Sequence, residues 1–242
     1  PYGTDPITEE SYLPHPTQEA IRAWAIRARQ PSSTGGIPTL WVPHGVNAGG
    51  TRGALTPALE YAFEQPGLRI LIGRKDYTDL RASGIETFLS MVPPELLAES
   101  NSQEHWWALR TNGAPSHVFF RELKDVKSLG SQEFAAIVVL EAAEIDLAAY
   151  RTLKQRCRQG QLPSFLILEG NPPTENHWLA RIQDRDDPEY DPDLTVLKLT
   201  SRENWAYMTS AYRHSLETMP FAWQRRYIEA ESGALPSGTP VY

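Results

Sequence analysis

The apolar positions of this chain fall into short runs that are separated by stretches with helical periodicity. The runs have the length and β-branched content of buried strands, and they end at turn-forming residues. Strands that alternate with helices predict an α/β fold, a mainly parallel sheet with helices on both faces, hence a three-layer sandwich. The predicted strands are 39–43, 68–73, 134–141, 164–170 and 195–200.

Helical spacing of apolar residues predicts the intervening elements. In 15–30 the apolar face begins at Ile21, and Thr17 is predicted as the N-cap. A second stripe runs from Ala54 to Phe63 and is closed by Pro66-Gly67, with Pro57 as an unusual residue inside it. The remaining predicted helices are 76–92, 143–160 with its end at Gly160, and most of 201–232.

Two segments depart from this alternation. Runs 105–110 and 117–123 flank an Asn-Gly, which predicts a hairpin-like pair of strands. The stretch DRDDPEYDPD (184–193) is acidic and rich in proline, which predicts a surface loop.

Composition narrows the class of protein. Of 242 residues, 40% are hydrophobic and 22% charged, as in ordinary globular proteins, and the net charge of −7 argues against a broad nucleic-acid-binding face. Two basic clusters, 154–158 and 225–226, are interpreted as solvated helix faces, so any DNA contact is expected to be local or shared among subunits. Cys157 is the only cysteine, which excludes an internal disulfide. We find neither a signal-like start nor an apolar run long enough to span a bilayer, and predict no membrane contact.

The stretch PHGVNAGGTRGAL (43–55) has the glycines and the strand–helix context of a phosphate-binding loop. The usual pattern is G-x-x-x-x-G-K-[ST]. With Thr51 at the hydroxyl position, Gly50 replaces the lysine and His44 replaces the first glycine; with Gly45 and Gly50 as the two glycines, Thr51 replaces the lysine instead. Both alignments lack the lysine, so a simple glycine-rich turn remains the alternative.

A second strand carries the other half of such a site. In P-loop ATPases this strand ends in Asp-Glu, where the aspartate orients Mg²⁺ and the glutamate activates water. Here FAAIVVLEAAEI places Leu140 at the aspartate position and Glu141 at the glutamate position. A structural glutamate near a helix N-terminus is the alternative interpretation of Glu141.

Several stretches, in order, resemble the ATPase domain of the large terminase subunit of tailed bacteriophages. Individually they are weak, but together they cover nearly the whole chain. They are HPTQEA (15–20), ILIGRKDYTDLRAS (70–83), TNGAPSHVFFRELKDVKSLGSQEF (111–134), LEAAEI (140–145), LILEGNPPTENHWL (166–179), SRENW with PFAWQRRYIEAESG, and GTPVY (238–242).

The resemblance implies a P-loop NTPase fold of the ASCE (RecA-like) class and one ATPase domain over 1–242. Within it, 1–37 is the N-terminal helical segment and 201–242 the closing helices before an absent nuclease domain, so no DNA cleavage is expected. The implied function is ATP-driven translocation of viral DNA into the capsid, with ATP and Mg²⁺ as cofactors. The implied partners are double-stranded DNA, the portal protein, the small terminase subunit and further copies in a ring, in the cytoplasm of the infected bacterial host.

The resemblance also implies roles for individual residues. Glu141 is the predicted catalytic base, Arg121 a predicted arginine finger acting across a subunit boundary, Asn171 the coupling residue, and Thr51 the Mg²⁺ ligand through ATP. The candidates to replace the positive charge of the missing lysine are Arg52, Arg74 and Lys75. The predicted nucleotide-binding residues are Gln18 on the adenine side and Gly45, Asn47, Ala48, Gly49, Gly50, Thr51 and Arg52 in the loop.

The departures from the family pattern leave a second hypothesis open. Gly50 and Leu140 each remove a charge that positions phosphates or Mg²⁺, and Val46 and Glu169 also differ from the family. A terminase-derived module that keeps the fold but hydrolyses ATP poorly, as a structural or regulatory component of a packaging complex, is the alternative to a working motor ATPase.

Overall fold

A computed structural model describes residues 13–30 and 35–233. The segment GTPVY (238–242), residues 1–12 of the predicted N-terminal segment and 31–34 of the loop after it lie outside the described residues. Within the described ranges, no helix is long and apolar enough to cross a membrane.

The centre of the molecule is one eight-stranded sheet with the order β3-β4-β5-β2-β6-β7-β1-β8. All neighbouring pairs from β5 to β8 are parallel, and β3 and β4 are added antiparallel at one edge. The strands are β1 Thr39–Pro43, β2 Arg69–Arg74, β3 Leu97–Asn101, β4 Trp106–Leu109, β5 Ser116–Glu122, β6 Ala136–Val139, β7 Phe165–Gly170 and β8 Leu194–Val196. The predicted mainly parallel sheet is confirmed.

Helices cover both faces of the sheet. The helices are α1 Pro16–Ala28, α2 Gly50–Glu64, α3 Tyr77–Asp79, α4 Glu86–Met91, α5 Leu147–Arg156, α6 Trp178–Arg181, α7 Ser210–Glu217 and α8 Phe221–Tyr227. A π-helical segment, Leu80–Ile85, joins α3 to α4, and 3₁₀ turns lie at Pro94–Leu96, Val126–Leu129, Ala142–Glu144 and Ser201–Tyr207.

The alternating side chains of β6 show how one strand contributes to two hydrophobic cores. Ala136 and Val138 belong to the core shared with α1 and α2, whereas Ile137 and Val139 belong to the core shared with α5. Successive side chains of a strand point to opposite faces, so a continuous apolar run is what a strand covered on both sides requires.

Three predicted element boundaries are wrong, and one strand was not predicted at all. His15, and not Thr17, caps α1: its backbone N–H donates to the Gln18 side chain, and Thr17 lies inside the helix. Helix α5 ends at Arg156 rather than at Gly160, which lies in a later turn with φ 57°. Strand β8 stops at Val196, although Leu197 and Leu199 still donate backbone hydrogen bonds to the β1 segment. Strand β3 was not predicted, because its sequence LAESN lacks an apolar run.

The acidic loop and one basic cluster are also more than surface features. Asp191 is buried, and Lys154 of α5 donates to both of its carboxylate oxygens at 2.7 Å and to Asp193 at 3.0 Å. The Tyr150 hydroxyl also donates to Asp191. Lys154 is therefore an anchor for the loop and not part of a solvated face, because burying a carboxylate requires a paired charge.

Candidate nucleotide site

The loop between β1 and α2 has the backbone of an anion-binding turn. Asn47 and Gly49 adopt left-handed conformations with φ 51° and 79°, and α2 begins immediately after Gly49. The first N–H groups of a helix have no acceptor within it, and they carry the positive end of the helix dipole. A cavity of about 270 Å³ opens there, lined by His44, Asn47, Ala48, Gly49, Gly50, Thr51, Arg52 and Thr87.

Both ends of the chain hold this loop in place. From α1, the buried Gln18 amide donates to the Gly49 carbonyl at 3.0 Å. From the C-terminal segment, Asn204 donates to the Asn47 carbonyl at 2.6 Å, and Ser201 donates to the Val46 carbonyl at 2.7 Å. The loop is therefore fixed before any ligand arrives.

Two glycines are required by close packing, in two different directions. A Cβ on Gly45 would lie 2.3 Å from the Ser201 hydroxyl oxygen and 2.6 Å from the Tyr227 carbonyl oxygen. A Cβ on Gly50 would lie 2.2 Å from Cδ2 of the His44 ring. Gly45 thus lets the C-terminal helices approach the loop, while at Gly50 the imidazole of His44 occupies the space into which a side chain would extend.

A chain of contacts leads from His44 to the end of β6. The imidazole Nε2 lies 2.5 Å from Oε2 of Glu169, and Nδ1 lies 3.0 Å from the Gly45 carbonyl oxygen. The other carboxylate oxygen of Glu169 accepts the Glu141 backbone N–H at 3.3 Å, and the Glu141 carboxylate accepts the Asn171 N–H at 3.5 Å. One buried carboxylate on β7 therefore connects the loop with Glu141.

Burial and the charges around these groups shift their pKa values. Burial acts to lower the pKa of His44, but the charge and hydrogen bond of Glu169, with smaller contributions from the Gly45 carbonyl and Glu141, outweigh it and raise the pKa to about 9. Burial, and then the nearby Glu169 carboxylate, raise the pKa of Glu141, although His44 and Arg74 act in the opposite direction. His44 is thus a cation at neutral pH, and Glu141 is a more basic carboxylate than usual.

The backbone at Glu141 is strained. Its φ of 48° and ψ of 55° are left-handed values that side-chain-bearing residues seldom adopt, and such strain concentrates at functional sites. Gly170, with φ 151°, allows the approach of β7, because a Cβ there would lie 3.0 Å from the Glu141 Cα. The Asn171 side-chain oxygen is buried without a hydrogen-bond partner among the described residues, which is uncommon for a buried polar atom.

Most predicted loop residues come together around the cavity, Arg52 among them, whereas the candidate cations Arg74 and Lys75 do not line it. Arg74 donates to Glu144 at 2.9 and 3.1 Å, and Arg52 donates to Ser90 at 3.2 Å. Lys75 lines a different cavity, beside Lys124 and Glu144. Gly45 does not line the nucleotide cavity, and Gln18 lies on the α1 side of the loop.

Two further predicted positions lie away from the cavity. The side chain of Leu140 is 1% exposed and packs in the core beside Gly84 of the π-helical segment. Arg121 lies on β5, and β2, β6 and β7 separate that strand from β1. Its guanidinium donates to the Glu104 carbonyl at 2.6 Å and to two further backbone carbonyls.

Four residues that shape the site were not predicted to do so. His44 and Glu169 appear in the sequence only as departures from a motif, 125 positions apart. Ser201 and Asn204 contact the loop from 155 and 157 positions away. Sequence spacing carries no signal for such distant partners, although the joint change at 44, 50 and 169 is itself a hint that these positions depend on one another.

Comparison with known proteins decides the family. The model of the phage terminase large subunit family matches residues 100–227, just over half of the chain, including Glu141 and Asn171. The chain belongs to the phage terminase large subunit family. No match is found among curated proteins.

Solved terminase structures share the fold of this family member. The large terminase of a thermophilic bacteriophage matches with a TM-score of 0.73 and 16% identity, covering 92% of this chain and 54% of that one. The ATPase domain of the Thermus phage P74-26 large terminase matches with a TM-score of 0.63 and 16% identity, covering 91% and 94%. The HK97 bacteriophage large terminase gives 0.64 and 16%, covering 96% and 53%.

The extent of these matches shows how much of each related protein the chain corresponds to. The chain spans about half the length of the first of these terminases and nearly all of the isolated ATPase domain. Structures of the thermophilic-phage terminase include complexes with ADP and with ATP-γ-S. The P-loop NTPase fold predicted from the sequence is confirmed.

Proposed function

We propose that this chain is the ATP-hydrolysing domain of a phage DNA-packaging motor. The observation that carries the proposal is the connection, through Glu169, between a preformed anion-binding loop and a strained, basic Glu141. Related terminase structures hold ADP and ATP-γ-S, which supports a nucleotide as the ligand of the loop.

The residues of the site divide the chemistry among them. The N–H groups at the start of α2, beginning with Gly50 and Thr51, bind the β- and γ-phosphate oxygens, as helix N-termini bind anions. Glu141 takes a proton from the water that attacks the γ-phosphorus, and the P–O bond to ADP breaks to release phosphate. The raised pKa of Glu141 favours this proton transfer, since a stronger base accepts the proton more readily.

Only part of the usual set of Mg²⁺-binding residues is present at this site. The Thr51 hydroxyl lines the cavity and is the ligand this chain supplies, whereas position 140 offers an apolar side chain turned into the core. When bound there, Mg²⁺ would neutralise negative charge on the phosphates. No group of three His, Cys, Asp or Glu side chains suited to a metal occurs within 13–30 and 35–233.

The remaining assignments complete the proposal. Gln18 contacts the loop on the adenine side, and the unsatisfied Asn171 oxygen senses the state of the γ-phosphate. The domain spans 1–242, and several copies of it form a ring on the portal. Its further partners are the small terminase subunit and double-stranded DNA, in the cytoplasm of the infected host. DNA cleavage would belong to a separate nuclease domain.

The decisive experiment compares ATP hydrolysis by the chain with that of Glu141→Gln, with and without double-stranded DNA. We expect measurable turnover, and a loss of about 100-fold or more in Glu141→Gln with ATP binding retained, because only the proton acceptor is removed. Glu86→Gln, an exposed change on α4, is the matched control.

A pseudo-ATPase is the second candidate, and one observation favours it. The buried Leu140 leaves the metal without the aspartate that usually orients it. If the unmodified chain binds ATP but its turnover equals that of Glu141→Gln, the motor proposal fails and the structural role is supported.

A further inference from the structure

The lysine of a phosphate-binding loop neutralises the β- and γ-phosphates, and its absence here needs a physical account. Three positions depart together from the usual pattern: His44 for the first glycine, Gly50 for the lysine, and Glu169 at the end of β7. In the fold these three side-chain positions are in contact. The His44 ring lies where a side chain at position 50 would begin, and Glu169 holds that ring by Nε2.

We propose that His44 supplies the positive charge that a lysine at position 50 would otherwise carry, at the phosphate end of the cavity. This inference rests on the proposed nucleotide site and deepens it. His44 lines the cavity together with Gly49, Gly50 and Thr51, beside the start of α2. Gly50 is required because any larger residue would displace the imidazole from this place.

The environment of His44 favours its cationic form at neutral pH. Its pKa is raised to about 9, with Glu169 outweighing the effect of burial. Glu169 is 1% exposed and its second oxygen accepts the Glu141 N–H, so its charge is met by donors on two sides. The carboxylate thereby fixes the ring and favours its protonated form, while the Cδ2 edge of the ring faces Gly50.

Other cavities and charged clusters of the molecule support no comparable inference. The cavity lined by Lys75, Lys124 and Lys127 is a local basic surface, but Glu144 and Asp146 share it. The Lys154–Asp191–Asp193 cluster is internally satisfied and anchors a loop. Only the His44 arrangement accounts for several unusual residues at once.

The test measures equilibrium binding of ATP, ADP and adenosine to the 242-residue chain by calorimetry, with thermal melting as a folding check. We expect His44→Gln, which keeps a polar side chain but removes the charge, to weaken ATP binding about 10-fold or more, ADP less, and adenosine not at all. His214→Gln, an exposed histidine on α7, is the matched control.

A double variant provides the reciprocal test. His44→Gly with Gly50→Lys restores G-x-x-x-x-G-K-T and frees the space that lysine needs, so we expect ATP affinity within about threefold of the unmodified chain. His44→Gly alone should bind ATP as weakly as His44→Gln. A folded double variant that binds ATP no better than His44→Gly would contradict the proposal.

The outcomes separate this inference from the proposed function. If His44→Gln is folded and its affinities for ATP and adenosine fall equally, or its ATP affinity is unchanged, the role of His44 is overturned. The proposed ATPase function does not depend on this result. ATP binding that depends on His44, but without hydrolysis, supports the inference and overturns the ATPase proposal. If the unmodified chain binds neither ATP nor ADP, both fail.

Discussion

At the scale of single residues, the site shows why motif matching reached its limit. The sequence indicated a loop with a missing lysine at Gly50 and two further departures, each of which counted against function. The structure joins His44, Gly50 and Glu169 in one packed unit, with a 2.5 Å contact between the first and the last. Side chains that compensate for one another are separated by 125 positions, so local spacing could not relate them.

The buried His44–Glu169 pair makes stability depend on pH. The folded-state pKa of His44 is about 9, above the 6.5 of an unfolded histidine. Its contribution is therefore fully present below about pH 6.5 and is lost as the pH rises through about 9. In His44→Gln this dependence should disappear.

The measurement is the free energy of unfolding by denaturant, at intervals from about pH 6 to about pH 10. The difference between the unmodified chain and His44→Gln should shrink by up to about 3 kcal/mol over that range. Burial also raises the pKa of Tyr150 and of Cys157, which lowers alkaline stability in both proteins and cancels in the difference. A pH-independent difference would show that His44 carries no extra proton in the folded state.

At the scale of elements, the apolar pattern was sufficient where burial alone defines a strand or helix. β1, β2, β6 and β7 follow predominantly apolar runs, and α2 follows its stripe despite Pro57. The pattern failed where polar contacts determine the boundary. β3 is an exposed edge strand held by pairing with β4, and α1 starts at a histidine that hydrogen-bonds Asn204.

The end of β6 provides a prediction at this scale. Leu140 looks in the sequence like a lost Mg²⁺-binding aspartate, but its side chain packs against the π-helical segment, where a Cβ on Gly84 would lie 2.7 Å from Leu140 Cδ1. Leu140→Asp should therefore destabilise the fold by about 3 kcal/mol or more, because it buries an unpaired carboxylate and leaves a cavity.

Denaturant unfolding of Leu140→Asp measures this cost, and Leu140→Met, which conserves volume, should lose less than about 1.5 kcal/mol. Calorimetry with ATP and Mg²⁺ gives the second readout. A stable Leu140→Asp that binds Mg-ATP more tightly than the unmodified chain would contradict the packing argument and would show that the position can still serve the metal.

At the scale of the whole molecule, the two ends of the described chain meet at the loop between β1 and α2. α1 contacts it through Gln18, and the segment before α7 contacts it through Ser201 and Asn204. The order of family-like segments predicted the fold and the family, both of which are confirmed. It could not predict which backbone carbonyls of the loop those segments bind, because such contacts depend on the three-dimensional path between them.

Assembly provides the last prediction, because Arg121 does not line the cavity of its own chain. β2, β6 and β7 separate its strand from the loop, so a role in hydrolysis requires a neighbouring subunit. Arg121→Ala should therefore keep ATP affinity but lose about 1000-fold in turnover, the typical contribution of an arginine finger. Arg110→Ala, an exposed change after β4, is the matched control.

Mixing two inactive proteins tests the subunit boundary directly. Arg121→Ala retains Glu141, and Glu141→Gln retains Arg121, so a mixed ring contains interfaces at which an intact Glu141 meets an intact Arg121. Turnover should reappear on mixing, peak near equal proportions and rise with protein concentration, since subunit association follows mass action. Thermal melting of Arg121→Ala must accompany the assay, because this guanidinium also binds the Glu104 carbonyl. A folded Arg121→Ala with full turnover, or mixtures that stay inactive although both variants assemble, would remove Arg121 from the mechanism.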